Sequence, residues 1–237
     1  MKIALLGYGK MGKEIESIAL GKGHEIVLKI NSANGNFNPE ELKVADVAIE
    51  FSRPDNVLPN IEKCFLANVP VVIGTTGWYE QLTAVREKCI AGKHTMLYAS
   101  NFSVGVNIFF ELNKRLAELM NPHWQYEAGM EEIHHTQKLD SPSGTAITLA
   151  EGMLQHLDRK KSWVNHSTES TEELPIISKR IDNVPGTHII RYSSPIDDIE
   201  ISHTAHNRKG FAAGAVLAAE WLQGKTGVFT MKEVLNF

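Results

Sequence analysis

Two histidines and a lysine lie close together in the middle of the chain and are well suited to moving a proton. His134 and His135 end a segment, 126–135, with the length of a strand, and Lys138 follows three residues later. An imidazole can take or release a proton near neutral pH, and a lysine adds a positive charge. A single histidine is more often structural than catalytic, but the clustering with Lys138 indicates acid–base chemistry on an anion.

The residues that follow this cluster predict a helix whose N-terminus could bind carboxylates. Ser141 before Pro142 is typical of an N-cap followed by a first-turn proline, and Ser143 is the alternative cap. Apolar residues then continue at helical spacing to Leu157. The N–H groups at a helix start lack intrahelical partners and bind anions. The candidates for carboxylate binding are Ser143, Gly144 and Thr145.

A glycine-rich turn near the N-terminus has the pattern G-x-G-x-x-G. The turn follows a strand-like run, 2–6, and precedes apolar residues at helical spacing and a second strand, 24–30. In this context the glycines permit the tight turn and the close approach of a pyrophosphate, so the pattern predicts a dinucleotide site. The residues predicted to bind the cofactor there are Gly7, Tyr8, Gly9, Lys10, Met11 and Gly12.

The end of the second predicted strand is the place where the ribose of a bound dinucleotide is usually recognised. A carboxylate commonly binds the 2′-hydroxyl of NAD there, and a nearby arginine accommodates the 2′-phosphate of NADP. This sequence has Asn31 and Ser32 instead, and either side chain can hydrogen-bond to either cofactor. We therefore expect NADH or NADPH, and the sequence leaves the preference between them open.

Three more predicted strands, 45–52, 69–73 and 95–99, alternate with helices at 57–67 and 79–89. This alternation predicts a parallel, doubly wound sheet of the Rossmann type, in which ligands bind at the C-terminal ends of the strands. Small polar residues stand at those ends. We expect the following residues to line the nicotinamide side of the cofactor site: Phe51, Gly74, Thr75, Thr76, Ala99, Ser100, Asn101 and Phe102.

The chain changes character after about residue 105. A helix at 106–120, the histidine segment with its helix, and strands at 175–181, 187–193 and 198–206 predict a mixed sheet with two helices. The apolar, alanine-rich segment 210–222 predicts a helix that packs back on the first domain. We therefore predict an α/β dinucleotide-binding domain of residues 1–105 and 210–237. Residues 106–209 would form an α+β substrate-binding domain whose open sheet is a candidate oligomer surface.

The composition limits the possible partners. The chain has 237 residues and a formal net charge of −4, which gives no reason to expect nucleic-acid binding. No apolar run approaches the roughly 18 residues that a membrane helix needs, and the N-terminus lacks the pattern of a signal peptide. Cys64 and Cys89 have no metal-binding spacing. We expect a cytoplasmic protein that has no metal ion and binds neither membrane nor nucleic acid.

The segment 132–146 resembles the signature E-x-H-H-x-x-K-x-D-[AS]-P-S-G-T-A of the 4-hydroxy-tetrahydrodipicolinate reductase (dihydrodipicolinate reductase) family. The segments 7–12, 74–77, 99–105 and 201–208 fit the motifs of that family in the same order, so the resemblance covers nearly the whole chain. Two positions depart from it: the usual acidic residue after the second strand is Asn31, and Lys10 stands where arginine is common.

The resemblance implies a function and a role for individual residues. The family reduces a cyclic dicarboxylate with NADH or NADPH in the diaminopimelate and lysine pathway and is usually a homotetramer formed through the sheet of the second domain. His134 corresponds to the catalytic proton donor or acceptor, and Lys138 to the second proton donor. The implied substrate-binding residues are His135, Lys138, Ser143, Gly144 and Thr145.

Three other functions are compatible with parts of the sequence. A metal-dependent hydrolase could use His134, His135, His203 and His206, although no H-E-x-x-H motif is present. A nucleotide sensor could have kept the first domain and lost the chemistry. Another two-domain reductase, such as an aspartate dehydrogenase, could share the architecture. The intact pair of His134 and Lys138 argues against the sensor.

Overall fold

The computed structural model describes residues 1–207 and 209–237, and the chain divides into two compact units. The first unit comprises Met1–Val104 and Lys209–Phe237, and the second comprises Gly105–Arg208. Arg208, the last residue of the motif at 201–208, lies outside the described residues. Each unit has its own hydrophobic core.

The helices are α1 (Lys10–Gly21), α2 (Pro54–Ala67), α3 (Leu82–Ala91), α4 (Val104–Met120), α5 (Gly144–Leu154), α6 (Lys209–Leu222) and α7 (Met231–Leu235). The strands are β1 (Lys2–Leu6), β2 (Glu25–Ile30), β3 (Val47–Glu50), β4 (Val71–Ile73), β5 (Thr95–Tyr98), β6 (Glu127–His134), β7 (Ser162–Val164), β8 (Glu173–Arg180), β9 (Gly186–Ser193), β10 (Asp198–Ala205) and β11 (Gly227–Phe229). Short 3₁₀ helices occupy Pro39–Val44 and Tyr79–Gln81.

The first unit is built on a parallel sheet with the strand order β11-β5-β4-β3-β1-β2. Its strands are short apolar runs because both faces are covered. Ala4 and Leu6 of β1 pack into one core, and Ile3 and Leu5 pack into the core on the other face. The predicted Rossmann-type sheet is confirmed.

Two features of the first unit depend on packing at the C-terminal end of the chain. The small side chains of α6 pack against α1 and the sheet, as the alanine-rich pattern predicts. Strand β11 adds a sixth strand beside β5 that the sequence analysis did not predict. Three residues are too few to show a strand periodicity, so this strand had no readable pattern.

The second unit contains a mixed sheet with the order β10-β9-β6-β8-β7. Strand β6 pairs in parallel with β8 and antiparallel with β9, which confirms the mixed sheet. Helices α4 and α5 cover one face, which we call the inner face, and form a core with Met130, Ile176, Ile190 and Tyr192. The inner face continues past this core to polar side chains at the end of β6, and these build the candidate site.

Candidate active site

The turn between β1 and α1 is shaped for the close approach of a ligand. Gly7 has a positive φ of 106°, and a Cβ atom there would clash with the carbonyl of Phe51. A Cβ atom at Gly12 would clash with the carbonyl of Gly7. No described atom lies within 4 Å of the position that a Cβ would take at Gly9, so the backbone is open there. The turn therefore fits a dinucleotide pyrophosphate at the start of α1.

A cavity of about 300 Å³ adjoins this turn. It brings together several of the predicted cofactor residues with others from the end of β3 and the start of α2. Of the described residues that line it, only Arg53 carries a formal charge, and no sequence motif had singled this residue out. The lining residues are Gly7, Tyr8, Gly9, Ile30, Asn31, Ser32, Gly35, Phe51, Ser52, Arg53, Asn56 and Asn60.

The loops after β3, β4 and β5 meet at one edge of the sheet, as predicted for strand ends of a parallel sheet. The ring of Phe51 lies 5.6 Å from that of Phe102, and it fills the space that a side chain at Gly74 would need. The N–H of Ser52 donates to Oγ1 of Thr75 at 2.8 Å. Thr75 and Phe102 are buried, so their side chains hold the loops together.

The other predicted nicotinamide-side residues follow the ends of β4 and β5. Thr76 and Ser100 are exposed, while Ala99 and Asn101 are half-buried. Lys10 and Met11 occupy the first turn of α1.

Glu50 lies beneath this edge and is fully buried. Its carboxylate accepts hydrogen bonds from the N–H of Ser52 at 3.1 Å, from the hydroxyl of Ser52, and from Nδ2 of Asn60 at 3.2 Å. Burial raises the pKa of Glu50, although these hydrogen bonds oppose the rise. The carboxyl group therefore supports the loop that carries Phe51 and Ser52.

The second unit places an acid–base cluster at the end of the inner face. His134 is only 7% exposed, and its Nδ1 lies 3.4 Å from Oε2 of Glu132, two residues earlier on β6. His188 of β9 stands opposite Glu132 in the strand register. The rings of His134 and His188 lie 5.1 Å apart in an edge-to-face arrangement. Strand alternation and register thus bring together two imidazoles and a carboxylate.

Glu132 is fully buried and joins this cluster to the start of α5. Its two carboxylate oxygens accept the N–H of Ser143 at 3.2 and 3.1 Å. The hydroxyl of Ser178 donates to it at 2.8 Å, and the guanidinium of Arg180 lies 3.4 Å away. A buried carboxylate needs such partners, since an unpaired charge in the interior is very unfavourable.

The environment lowers the pKa values of His134, His188 and Glu132, but for different reasons. Burial lowers the pKa of His134, and the positive charges of Lys138 and Arg180 lower it further, while Glu132 opposes them. Burial is also the main cause that lowers the pKa of His188 to about 4. For Glu132, burial acts to raise the pKa, but the hydrogen bonds from Ser143 and Ser178 outweigh it, so its pKa is lowered. The carboxylate stays ionised beside two largely neutral imidazoles.

The helix start has one cap, and it is Ser143. Its backbone is extended, and its Oγ accepts the N–H of Ala146 at 3.2 Å. Ser141, the other predicted cap, does not cap the helix. Its hydroxyl instead accepts a hydrogen bond from Nδ2 of Asn165 at 2.9 Å. Gly144 faces open space, with no described atom within 4 Å of the position that a Cβ would take. Helix α5 ends at Leu154, three residues before the predicted end.

Lys138 lies in the loop between β6 and α5. Its Nζ is 2.8 and 2.9 Å from the two carboxylate oxygens of Asp140, which is largely exposed. Arg180 fixes this loop, because its guanidinium donates to the carbonyl oxygens of Lys138 at 3.3 Å and of Asp140 at 2.7 Å. The ammonium group is therefore held near the cluster by an exposed carboxylate that water or an anionic ligand can replace.

His135 lines a cavity of about 380 Å³ on the second unit. The cavity is not lined by His134, Lys138 or the start of α5. The side chains of His134 and His135 therefore lie in different environments. The lining residues are His135, Thr136, Gln137, Asp182, Asn183, Val184, Pro185 and Asn207.

The structure does not assemble the four histidines of the hydrolase alternative. His203 packs 6.0 Å from the ring of Phe109, and His206 is exposed. Among the described residues, the group with metal-ligand proximity is Glu132, His134 and His188, whose ligand atoms lie within 4.8 Å of one another. The adjacent guanidinium of Arg180 is unfavourable for a cation there.

The comparisons with known proteins decide the family. Residues 1–102 match the family described as dihydrodipicolinate reductase, N-terminus, and residues 105–235 match dihydrodipicolinate reductase, C-terminus. A protein of Christiangramia forsetii named 4-hydroxy-tetrahydrodipicolinate reductase is 51% identical over 236 residues, covering 100% of this chain and 98% of that protein. The chain belongs to the dihydrodipicolinate reductase family. The family predicted from the sequence motifs is thereby confirmed.

Two further members of the dihydrodipicolinate reductase family are less similar to this chain than the Christiangramia forsetii protein is. The 4-hydroxy-tetrahydrodipicolinate reductase of Neisseria gonorrhoeae is 33% identical to this chain. The match covers 93% of this chain and 84% of that protein. One solved structure that matches is the dipicolinate-bound dihydrodipicolinate reductase from Paenisporosarcina sp. TG-14. Its TM-score is 0.77 at 24% identity, and the match covers 97% of this chain and 97% of that chain. This likeness shows that the two proteins share their fold.

Four residues of the candidate site were given no role from the sequence: Glu132, Ser178, Arg180 and His188. The i, i+2 spacing of Glu132 and His134 on a predicted strand was a usable signal. The other three lie on β8 and β9, and their approach to Glu132 depends on strand register.

No helix in the described part of the chain is long and apolar enough to span a bilayer.

Proposed function

We propose that this protein reduces 4-hydroxy-tetrahydrodipicolinate to tetrahydrodipicolinate with NADH or NADPH, in diaminopimelate and lysine biosynthesis. The observation that carries the proposal is the junction made by Glu132, which holds His134 and the N-terminus of α5 together. A group that moves a proton and N–H groups that bind a carboxylate are thus adjacent. A reductase of a cyclic dicarboxylate needs both.

We assign cofactor binding to the first unit. The turn from Gly7 to Gly12 would hold the pyrophosphate, Asn31 and Ser32 the adenosine ribose, and the loops after β3, β4 and β5 the nicotinamide side. The reduced nicotinamide supplies a hydride to the substrate when it is bound. The glycine positions support this assignment, since side chains at Gly7 and Gly12 would clash with the backbone.

We assign substrate binding and proton transfer to the second unit. The N–H groups of Gly144 and Thr145 would bind a substrate carboxylate, together with the ammonium group of Lys138. Ser143 would position this helix start, because its own N–H already donates to Glu132. The resemblance also assigns substrate binding to His135, which lines a separate cavity. His134 and Lys138 would supply the proton that completes the reduction. Proton donation by a positioned side chain typically contributes about 10²–10⁴-fold to the rate.

We further propose that the enzyme is a homotetramer in the cytoplasm, assembled through the face of the second sheet opposite the inner face. Ile133, Ile177 and Ile189 are half-buried there and lie outside the helix-covered core. Ion pairs flank them, from Lys179 to Glu131 and from Arg191 to Glu200. An apolar centre with a charged rim is typical of a protein–protein interface.

Parallel assays of NADH and NADPH oxidation test the function. The substrate is generated in situ from pyruvate and aspartate semialdehyde by the preceding synthase. We expect oxidation that depends on the substrate, and the ratio of the two rates gives the cofactor preference. Folded protein that binds a cofactor without oxidising it would contradict the proposal and favour a nucleotide sensor.

A further inference from the structure

We propose that Glu132 is a positioning residue that holds the Nδ1 edge of His134, so that Nε2 is the atom that exchanges a proton with the substrate. This inference rests on the proposed reductase function and adds a residue to its acid–base machinery. It follows from the contacts on the two opposite edges of one imidazole ring.

The Nδ1 edge of His134 faces the carboxylate of Glu132. The two residues share the inner face of β6, and Nδ1 lies 3.4 Å from Oε2. Nδ1 is buried and has no closer hydrogen-bond partner among the described residues. A lone pair on Nδ1 would be repelled by the carboxylate, whereas an N–H would be attracted to it. The carboxylate therefore favours the tautomer that carries its hydrogen on Nδ1.

Glu132 is fixed in place independently of His134. The N–H of Ser143 bonds to both of its oxygens, and Ser178 and Arg180 contact the same carboxylate. These partners keep the group ionised and prevent it from turning away. A rigid partner of this kind orients a catalytic histidine, as the third group does in acyl-transfer triads.

The opposite edge of the ring is kept open by a glycine. A Cβ atom at Gly186, at the start of β9, would lie 3.0 Å from Nε2 of His134 and 3.2 Å from its Cδ2. Every residue with a side chain would therefore crowd Nε2. Glycine at this position leaves that nitrogen available to a ligand.

Several charged or titratable groups surround His134 and set its proton affinity. Glu132 and Asp140 raise its pKa, while burial, Lys138 and Arg180 lower it. His188 contributes a second buried imidazole on the facing strand. Removing the charge of Glu132 would take away the strongest group that favours the imidazolium, so the pKa of His134 would fall further.

The proton step balances with this geometry. Protonated His134 would give the proton on Nε2 to the substrate, whose reduction needs this proton in addition to the hydride that a bound NADH or NADPH would supply. The bond between Nε2 and hydrogen breaks, and a bond from that hydrogen to the substrate forms. The imidazole is left neutral with its remaining hydrogen on Nδ1, facing Glu132, and water returns a proton to Nε2 before the next turnover.

The variant Glu132→Gln tests the proposal through turnover and its pH dependence. We expect kcat to fall by about 10- to 100-fold, because poor orientation loses part of what the acid contributes. The KM for the cofactor should stay unchanged. The fall of kcat at high pH, which reports the loss of the proton from His134, should move to lower pH. Glu127→Gln is the matched control, because Glu127 lies on the same strand and pairs with Lys160 at 3.1 Å.

A double-mutant cycle separates this role from a purely structural one. In a His134→Ala background, Glu132→Gln should cause no further loss of kcat, since Glu132 acts through His134. An equal loss in both backgrounds, or an unmoved pH profile, would overturn the proposal. If Glu132→Gln does not fold, Gly186→Ala supplies a second variant, and it should lower kcat while leaving the KM for the cofactor unchanged. Wild-type kcat in Gly186→Ala would also count against the proposal.

Nitrogen NMR of ¹⁵N-histidine protein keeps this inference distinct from the proposed function. The chemical shifts of His134 report its tautomer whether or not the substrate is correct. Hydrogen on Nδ1 in the wild type, lost in Glu132→Gln, supports the positioning role even if the wild type does not reduce the proposed substrate. Hydrogen on Nε2 in the neutral wild-type ring would refute the role even if the enzyme is active.

Discussion

The hydroxyl oxygen of Ser143 lies 3.2 Å from Nε2 of His188, which is 45 residues further along the chain. Because Oγ of Ser143 already accepts the N–H of Ala146, its own hydrogen is free to be donated to His188. A neutral His188 with its lone pair on Nε2 satisfies this bond. The contact ties β9 to the start of α5, and burial, which lowers the pKa of His188, favours this unprotonated form.

His188 is therefore expected to make the folded protein sensitive to mild acid. Its pKa is about 4 in the folded protein and 6.5 when unperturbed, so the unfolded chain binds the proton more readily. Stability should be unaffected above pH 6.5 and should fall as the pH drops towards 4, by about 3 kcal/mol at most. Urea denaturation at a series of pH values, at one protein concentration, measures this loss.

The variant His188→Gln isolates that contribution. Glutamine can still accept the hydrogen of Ser143 but does not titrate. We expect a flatter dependence of stability on pH between about 6.5 and 4.5 than in the wild type. The exposed His166→Gln serves as the control and should keep the wild-type slope. Equal slopes for His188→Gln and the wild type would show that another group causes the acid sensitivity.

Lys138 is expected to contribute to turnover with little effect on cofactor binding. Lys138→Ala should lower kcat by about 10²–10⁴-fold, because a positioned acid is lost. The KM values for NADH and NADPH should stay nearly constant. Lys43→Ala is the comparison, since Lys43 is an exposed lysine that pairs with Glu40 at 2.6 Å. A matching loss of cofactor affinity in Lys138→Ala would rule out a specific role in proton transfer.

Arg53 is expected to favour NADPH over NADH. It is the charged residue among the described residues that line the cavity beside Asn31 and Ser32. A guanidinium forms strong, charge-assisted hydrogen bonds to a phosphate. Arg53→Gln should raise the KM for NADPH by about tenfold or more, as expected for the loss of such a bond. The KM for NADH is the internal control, and an equal rise for both cofactors would place Arg53 elsewhere.

The outer face of the second sheet is expected to hold the tetramer together. Ile189→Asp should lower the molar mass in solution, because it buries a carboxylate in the apolar centre of the proposed interface. Light scattering after size-exclusion chromatography measures the mass. Ile196→Asp is the control, since Ile196 is 89% exposed in the turn between β9 and β10. An unchanged mass for Ile189→Asp would exclude this face as the interface.

The local features of this protein could be predicted from its sequence. Apart from β11 and α7, the strands and helices of the first unit follow from short apolar runs and helical spacing. The glycine turn, the strand-end loops and the pair of His134 and Lys138 were found because each depends on residues a few positions apart. Such neighbours constrain one another directly, so they leave a pattern in the chain.

Tertiary structure alone decided how the cluster around His134 is completed. The register of β6 with β8 and β9 places Ser178 and His188 opposite Glu132, although these two residues are 46 and 56 residues away from it in the chain. The packing of the second unit also selects Ser143 over Ser141 as the helix cap. The fold of the first unit places Arg53 and Asn31 in the lining of one cavity. Register depends on the summed packing of both sheet faces, and no short stretch of sequence records that sum.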